Sequence, residues 1–267
     1  MTAIALTIAG SDSGGGAGIQ ADLKTFSACG VYGASVLTAL TAQNTLGVTA
    51  IHDVPVDFIK AQMNAVFSDL RVNAVKIGML SQPAIIQTVA DGLKQDAPFA
   101  IVLDPVMVAE SGDPLLAEDA ESSLVQHLFP LADLITPNLH EAARLLKTEM
   151  AQSNEHMEEQ AKQLLAMGAN AVLLKGGHAS GDYAEDCYAA ADGTVTWFSA
   201  PFIDTKNTHG TGCSLSSAIA SYLAKGEDMP TAIDKAKNWL SNAIAAADSL
   251  QIGSGAGPVH HFHQFWN

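Results

Sequence analysis

Short apolar runs alternate with amphipathic helical patterns along nearly the whole chain, and this alternation constrains the fold more than any other feature. Ile4–Ala9, Ala74–Ile77, Ile101–Leu103, Leu134–Thr136 and Ala171–Leu174 are compact blocks rich in Ala, Val, Leu and Ile. They read as strands of a buried sheet. Helices are predicted over Ala17–Cys29, Val56–Leu70, Pro83–Lys94, Glu118–Leu128 and Glu155–Met167, with another opened by Pro137-Asn138 and running through Leu146. Two longer ones, Cys213–Lys225 and Pro230–Leu250, close the chain. Ser35–Leu40 and Val48–His52 add strands, and Tyr183–Ala190 with Val195–Ser199, separated by Asp192-Gly193, read as a hairpin at a sheet edge. Repeated βα units imply a mainly parallel central sheet with helices on both faces. No linker, repeat or low-complexity tract interrupts the 267 residues, so one α/β domain over 1–267 is expected. A chain that is 48% hydrophobic but only 6% aromatic must build its core from aliphatic residues, as layered α/β proteins do.

The charge excludes two classes of partner. A formal net charge of −15 argues against nucleic acid and against an anionic membrane, which both require clustered Lys and Arg. An anionic substrate would need backbone donors or a few placed cations. Cys29, Cys187 and Cys213 form no CxxC pair and are odd in number, so a reducing compartment, the cytoplasm, is expected. The opening MTAIALTIAGSD reads as a first strand rather than a leader, and no stretch is apolar enough to span a membrane.

In a parallel α/β sheet, ligands sit at the carboxyl ends of the strands. The polar residues that follow the predicted strands are Gly10-Ser11-Asp12, Gln43-Asn44, Gly78-Met79, Asp104-Pro105, Asn138 with Glu141, and Lys175-Gly176-Gly177-His178. Each has a structural explanation when taken alone. The segment 10-GSDSGGGAG-18 lacks the Gly-Lys-Ser/Thr of a Walker A loop, and Gly-rich turns are common. Asp104-Pro105 can be a simple turn. Asn138 and Glu141 have capping-box spacing. On a single rim, however, the same residues supply acids for a metal, a lysine for phosphate and small residues for close approach.

The stretch 205-TKNTHGTGCSLSSAIASYLAKG-226 adds an anion site. Gly210 and Gly212 free the backbone to point amides inward, and the helix that follows presents unsatisfied N–H groups and a positive dipole end. Thr208 or Thr211 could cap such a helix, but a cap needs neither glycine, and cysteine caps poorly. A thiol at a helix N-terminus is expected to have its pKa lowered.

The chain resembles the ribokinase-like small-molecule kinases, and within them the hydroxymethylpyrimidine/phosphomethylpyrimidine kinases of thiamine biosynthesis. The resemblance is carried by 9-AGSDSGGGAGIQADLKTF-26, 42-AQNT-45, 76-KIGML-80, 103-LDPVM-107, 136-TPNLHEA-142, 173-LLKGGH-178, 205-TKNTHGTGCSLSSAIA-220 and 255-GAGPVHHFH-263. It implies a three-layer ribokinase-like fold and ATP-dependent phosphorylation of 4-amino-5-hydroxymethyl-2-methylpyrimidine and of its monophosphate. It further implies that Gln43 reads the ring edge. Gly10, Ala17, Met79 and Val106 would line the ring, and His209 would lie with Cys213 near the hydroxymethyl group. Asp104 and Glu141 would hold Mg²⁺ directly or through water. Asn138, Glu141, Lys175 and Thr208 would serve the nucleotide, and the Gly210–Cys213 amides would meet the migrating phosphoryl group with Cys213 as base. Sugar kinases carry an aspartate at that last position. Relatives often pair, so a homodimer is expected by analogy. A pyridoxal or pyridoxine kinase on the same scaffold, a sugar kinase and a non-catalytic ligand sensor are the alternatives.

Overall fold

The computed structural model describes residues 2–96, 100–107, 118–177 and 182–266. In chain order the elements are β1 (Ile4–Asp12), α1 (Gly18–Ala28), β2 (Tyr32–Asn44), β3 (Gly47–Asp53), α2 (Val56–Phe67), β4 (Ala74–Ile77), α3 (Pro83–Asp96), β5 (Ala100–Leu103) and α4 (Glu118–His127). They continue as β6 (Leu134–Ile135), α5 (Leu139–Leu146), α6 (Asn154–Leu165), β7 (Ala171–Lys175), β8 (Tyr183–Ala190), β9 (Val195–Pro201), α7 (Thr211–Ala224) and α8 (Met229–Ala245). Among the described residues the strands form one sheet in the order β3-β2-β1-β4-β5-β6-β7-β8-β9. From β2 to β7 every pairing is parallel, and β3, β8 and β9 add antiparallel flanks.

Alternation along the inner strands sorts the core into two layers. Leu6 and Ile8 of β1, Val75 and Ile77 of β4 and Leu103 of β5 face Ile59, Ile86, Leu124 and Leu164 from the α2–α6 side. Ala5, Ala74 and Val102 face the opposite way, with Phe26 of α1, Leu215 and Ile219 of α7 and Trp239 of α8. The result is the helix–sheet–helix sandwich that the βα pattern implies. Each fully buried Leu, Ile or Phe contributes about 1.5–3 kcal/mol relative to exposure. The small residues Ala5 and Ala74 leave room on the α1/α7 side for buried polar groups.

Several boundaries differ from the sequence expectation; β2 begins at Tyr32 rather than Ser35, and α2 ends at Phe67 rather than Leu70. Gly10-Ser11-Asp12 belongs to β1 rather than to a turn beyond it, and β2 runs on through Gln43-Asn44. Both extensions are polar, and the far end of β2 pairs with β3, whose face is exposed, so no apolar signal marked them. The final helix stops at Ala245, and a 3₁₀ turn over Ala247–Ser249 follows. The β8–β9 hairpin lies at the sheet edge as expected, and β2–β3 forms a second hairpin at the opposite edge.

The chain leaves β1 for β2 on one side and returns to β4 on the other. That reversal opens a crevice at the carboxyl ends of β1 and β4, where an open α/β sheet binds its ligand.

Candidate active site

Two groups of side chains meet at this rim. The first is organised by Asp12, which is buried at the end of β1. Its carboxylate accepts from the backbone amides of Gly14 at 2.8 Å, Gly16 at 2.9 Å and Ala17 at 2.8 Å, folding the glycine loop around itself. His209 Nε2 lies 3.1 Å from the same carboxylate. Burial pushes the Asp12 carboxyl up, but the bonds from His209, Ala17 and Gly14 outweigh it and hold the pKa below the ordinary value. A Cβ on Gly16 would collide with the His209 ring, and one on Gly210 (φ +80°) would strike the Gly16 carbonyl. The glycine loop and the α7 entrance therefore pack backbone to backbone, which only glycines permit.

Gln43 faces this junction from β2. Its Nε2 is 3.5 Å from His209 Nε2, and its Oε1 accepts from Thr41 Oγ1 at 3.0 Å. Gly10 stands against Met79, whose sulfur would be 3.1 Å from a Cβ added there. Thr38 Oγ1 fixes the Met79 carbonyl at 2.9 Å. Gly10, Ala17, Gln43, Met79 and His209 are thus gathered at one end of the sheet.

The second group surrounds Asp104, just past β5 and 2% exposed. Oδ1 accepts from Thr136 Oγ1 at 3.1 Å and from Lys175 Nζ at 3.1 Å, and Ser216 Oγ of α7 approaches Oδ2 at 3.4 Å. A Cβ on Gly212 would sit 3.3 Å from Lys175 Nζ and 3.5 Å from Asp104 Oδ2, so the first turn of α7 lies directly over this ion pair. Burial pulls the Lys175 pKa down, but Asp104 and Glu141 reverse that, and the ammonium is held above its ordinary range. Asn138 and Glu141 do form a reciprocal capping box on α5, with bonds of 2.8 and 2.9 Å, so the structural explanation of that pair holds. Burial nevertheless pushes the Glu141 carboxyl up to about 7, with Lys175 pulling down and Asp104 pushing up, which places it in the same electrostatic cluster.

No side chain caps α7. Thr208 contributes its carbonyl to the Thr211 amide at 3.1 Å. First-turn amides of a helix lack intrahelical acceptors, and here that turn lies over the Asp104–Lys175 pair. The thiol beside them departs from expectation. Burial pushes the Cys213 pKa up to about 11, Asp22 and Asp104 add to the rise, and Lys76 and the Gly18 amide only partly oppose it. The helix N-terminus favours a thiolate, but loss of hydration outweighs it, so the free protein holds a neutral thiol. Val106 follows Asp104, with its amide 2.8 Å from the Asp104 carbonyl. His178 lies outside the described residues. Sequence reasoning noted Asp12 only as a polar residue near a strand end and gave Lys76 no role, although it interrupts the apolar run of β4.

A switch-point crevice, an amide-lined helix mouth and a lysine–aspartate pair beneath it define a ribokinase-like small-molecule kinase. A family model described as phosphomethylpyrimidine kinase matches residues 12–260, and the chain belongs to that family. It is 58% identical to hydroxymethylpyrimidine/phosphomethylpyrimidine kinase of Rhizobium meliloti, over 100% of this chain and 99% of the relative, and 52% identical to the Escherichia coli protein of the same name, over 98% of each. Among solved structures, an ADP complex of Bacillus subtilis pyridoxal kinase matches with a TM-score of 0.90 and 36% identity, covering 100% of both chains. Phosphomethylpyrimidine kinase of Clostridium difficile 630 matches with a TM-score of 0.79 and 44% identity, over 90% of this chain and 99% of that one.

Proposed function

We propose that the protein transfers the γ-phosphoryl group of ATP to the hydroxymethyl oxygen of 4-amino-5-hydroxymethyl-2-methylpyrimidine, and then a second phosphoryl group to the monophosphate, in thiamine biosynthesis. The observation that carries this reading is the stacking of the open α7 mouth over Asp104 and Lys175, beside a crevice lined by Gln43 and Met79. The acceptor oxygen bonds to phosphorus as the bond to the β,γ-bridging oxygen breaks, and ADP departs with the electron pair. The hydroxyl proton passes to Cys213. Since that thiol is neutral at rest, its thiolate is the minor form, and turnover on the alcohol should climb with pH toward 11.

Gln43 reads the ring edge, with Gly10, Ala17, Met79 and Val106 as walls and His209 at the hydroxymethyl side. Lys175, Asn138 and Thr208 serve the nucleotide, and the Gly210–Cys213 amides receive the migrating phosphoryl group. Among the described residues no group of three or more His, Cys, Asp or Glu forms a dedicated metal cage. Two carboxylates, Asp104 and Glu141, fit Mg²⁺, which relies on few protein ligands plus phosphate oxygens. Bound there, the ion would offset triphosphate charge. We further assign the protein to the cytoplasm and to a homodimer. Three free cysteines support the first, and exposed Leu40, Ile51, Val56 and Phe58 on the β2–β3–α2 flank support the second. Among the described residues no helix is long and apolar enough to cross a membrane.

A coupled ADP-release assay with the pyrimidine alcohol, its monophosphate and pyridoxal tests the reading. ADP release with both pyrimidines is expected, and none with either overturns it. The likeness to pyridoxal kinase favours pyridoxal as a slower second substrate.

A further inference from the structure

Lys76 is a charge buried within an otherwise aliphatic strand. It sits in the middle of β4, on the face toward α1 and α7, and is fully buried. Its Nζ donates to both carboxylate oxygens of Asp22 on α1, at 2.9 and 3.0 Å. The same carboxylate accepts from Thr7 Oγ1 of β1 at 2.6 Å and Ser217 Oγ of α7 at 2.7 Å. Burying an ion pair forfeits the hydration of both charges, and an apolar pair of similar volume often serves stability as well or better. Stability therefore leaves this pair unexplained.

Its position points to the site. Ser217 is one helical turn beyond Cys213 and shares a face of α7 with it. A Cβ on Gly78 would come within 2.8 Å of Lys76 Nζ, and Gly78 adjoins the pocket residue Met79. The ammonium thus lies between the crevice floor and the first turn of α7.

We propose that Lys76, locked by Asp22, is a positioning residue for phosphoryl transfer: a fixed positive charge behind Cys213 that draws negative charge onto the sulfur as the substrate hydroxyl gives up its proton. This rests on the functional reading above. The other charged groups facing Cys213 are Asp22 on α1, Asp104 after β5 and Lys175 at the end of β7. Lys76 exerts the largest pull toward the thiolate, ahead of the opposing push from Asp22.

The test compares the parent with Lys76→Met/Asp22→Asn, which removes both buried charges together, and with Gly78→Ala, which displaces the ammonium without deleting it. Three quantities are read: alkylation of Cys213 by iodoacetamide against pH, followed by peptide mass spectrometry; turnover on the pyrimidine alcohol; and the KM for ATP. Both variants should shift the Cys213 alkylation curve to higher pH. In the double variant turnover should fall several-fold, the net of the Lys76 pull over the Asp22 push that is removed with it. The KM for ATP should hardly change. A folded variant whose alkylation curve stays with the parent's overturns the proposal even if turnover drops, because the loss is then structural. Should the double variant fail to fold, Gly78→Ala decides by the same curves. Absence of kinase activity in the parent would defeat the functional reading alone, because alkylation needs no substrate.

Discussion

Cys213 shows how far single residues could be read. The sequence places a thiol at a helix mouth, and the dipole argument predicts a low pKa. Burial among Asp22 and Asp104 reverses the sign, and no spacing in the chain discloses that environment. The two phosphorylations differ in what they ask of this thiol. The alcohol must lose a proton, whereas the monophosphate presents an oxygen already ionised at neutral pH. Cys213→Ala should therefore lower turnover on the alcohol by about 10²–10⁴-fold and leave the monophosphate step much less affected. Equal losses in the two steps, measured separately, would remove the base assignment. Gln43→Ala should raise the KM for the pyrimidine by the equivalent of about 1–3 kcal/mol, with that for ATP unchanged; a matching rise for ATP would show that Gln43 does not read the ring. Glu141 supplies a pH test. Its carboxyl is raised to about 7, so the proton is retained below that pH and the anion that would hold Mg²⁺ is lost. Half-activation should then require more Mg²⁺ as pH falls through 7 and should level off above 8, whereas Glu141→Gln should need more Mg²⁺ throughout, without that slope. By the same shift, Glu141 contributes stability below its unfolded value that is lost as pH rises through about 7.

At the scale of elements, the joint between the glycine loop and α7 has no room for a side chain. Gly210 combines a positive φ with a carbonyl where a Cβ would go. A residue with a side chain forced into that region costs about 1–3 kcal/mol. Gly210→Ala should lower the melting temperature by several degrees and cost more turnover than it costs ATP binding. A parent-like melting curve would show that the joint relaxes freely. The helices and inner strands were legible because burial on both faces produces unbroken aliphatic blocks, and the Asn138–Glu141 capping box was legible because its spacing is local. The extension of β2 was not, since Thr41, Gln43 and Asn44 face a partly open hairpin and carry no apolar period. The role of Lys76 was not legible either, because the partner that holds its charge, Asp22, lies 54 residues away.

On the scale of the whole molecule, the two ends of the sheet behave differently. The β3 edge and neighbouring α2 expose Ile51 and Phe58 on one flank. If that flank is the dimer face, Ile51→Lys with Phe58→Lys should halve the mass seen by analytical ultracentrifugation, and an unchanged mass would place the interface elsewhere. Asp12 and His209, which meet at the sheet rim, stand 197 residues apart, and the His209 amide in turn bonds to the Gly257 carbonyl. The junction therefore cannot be completed before residues 209–257 have been made. A growing chain can assemble α1 and the first strands well before it has an α7 mouth, and loop closure over such separations slows folding. On the ribosome, then, a ligand held at this junction cannot help the early sheet to fold and can stabilise only a chain grown past residue 257.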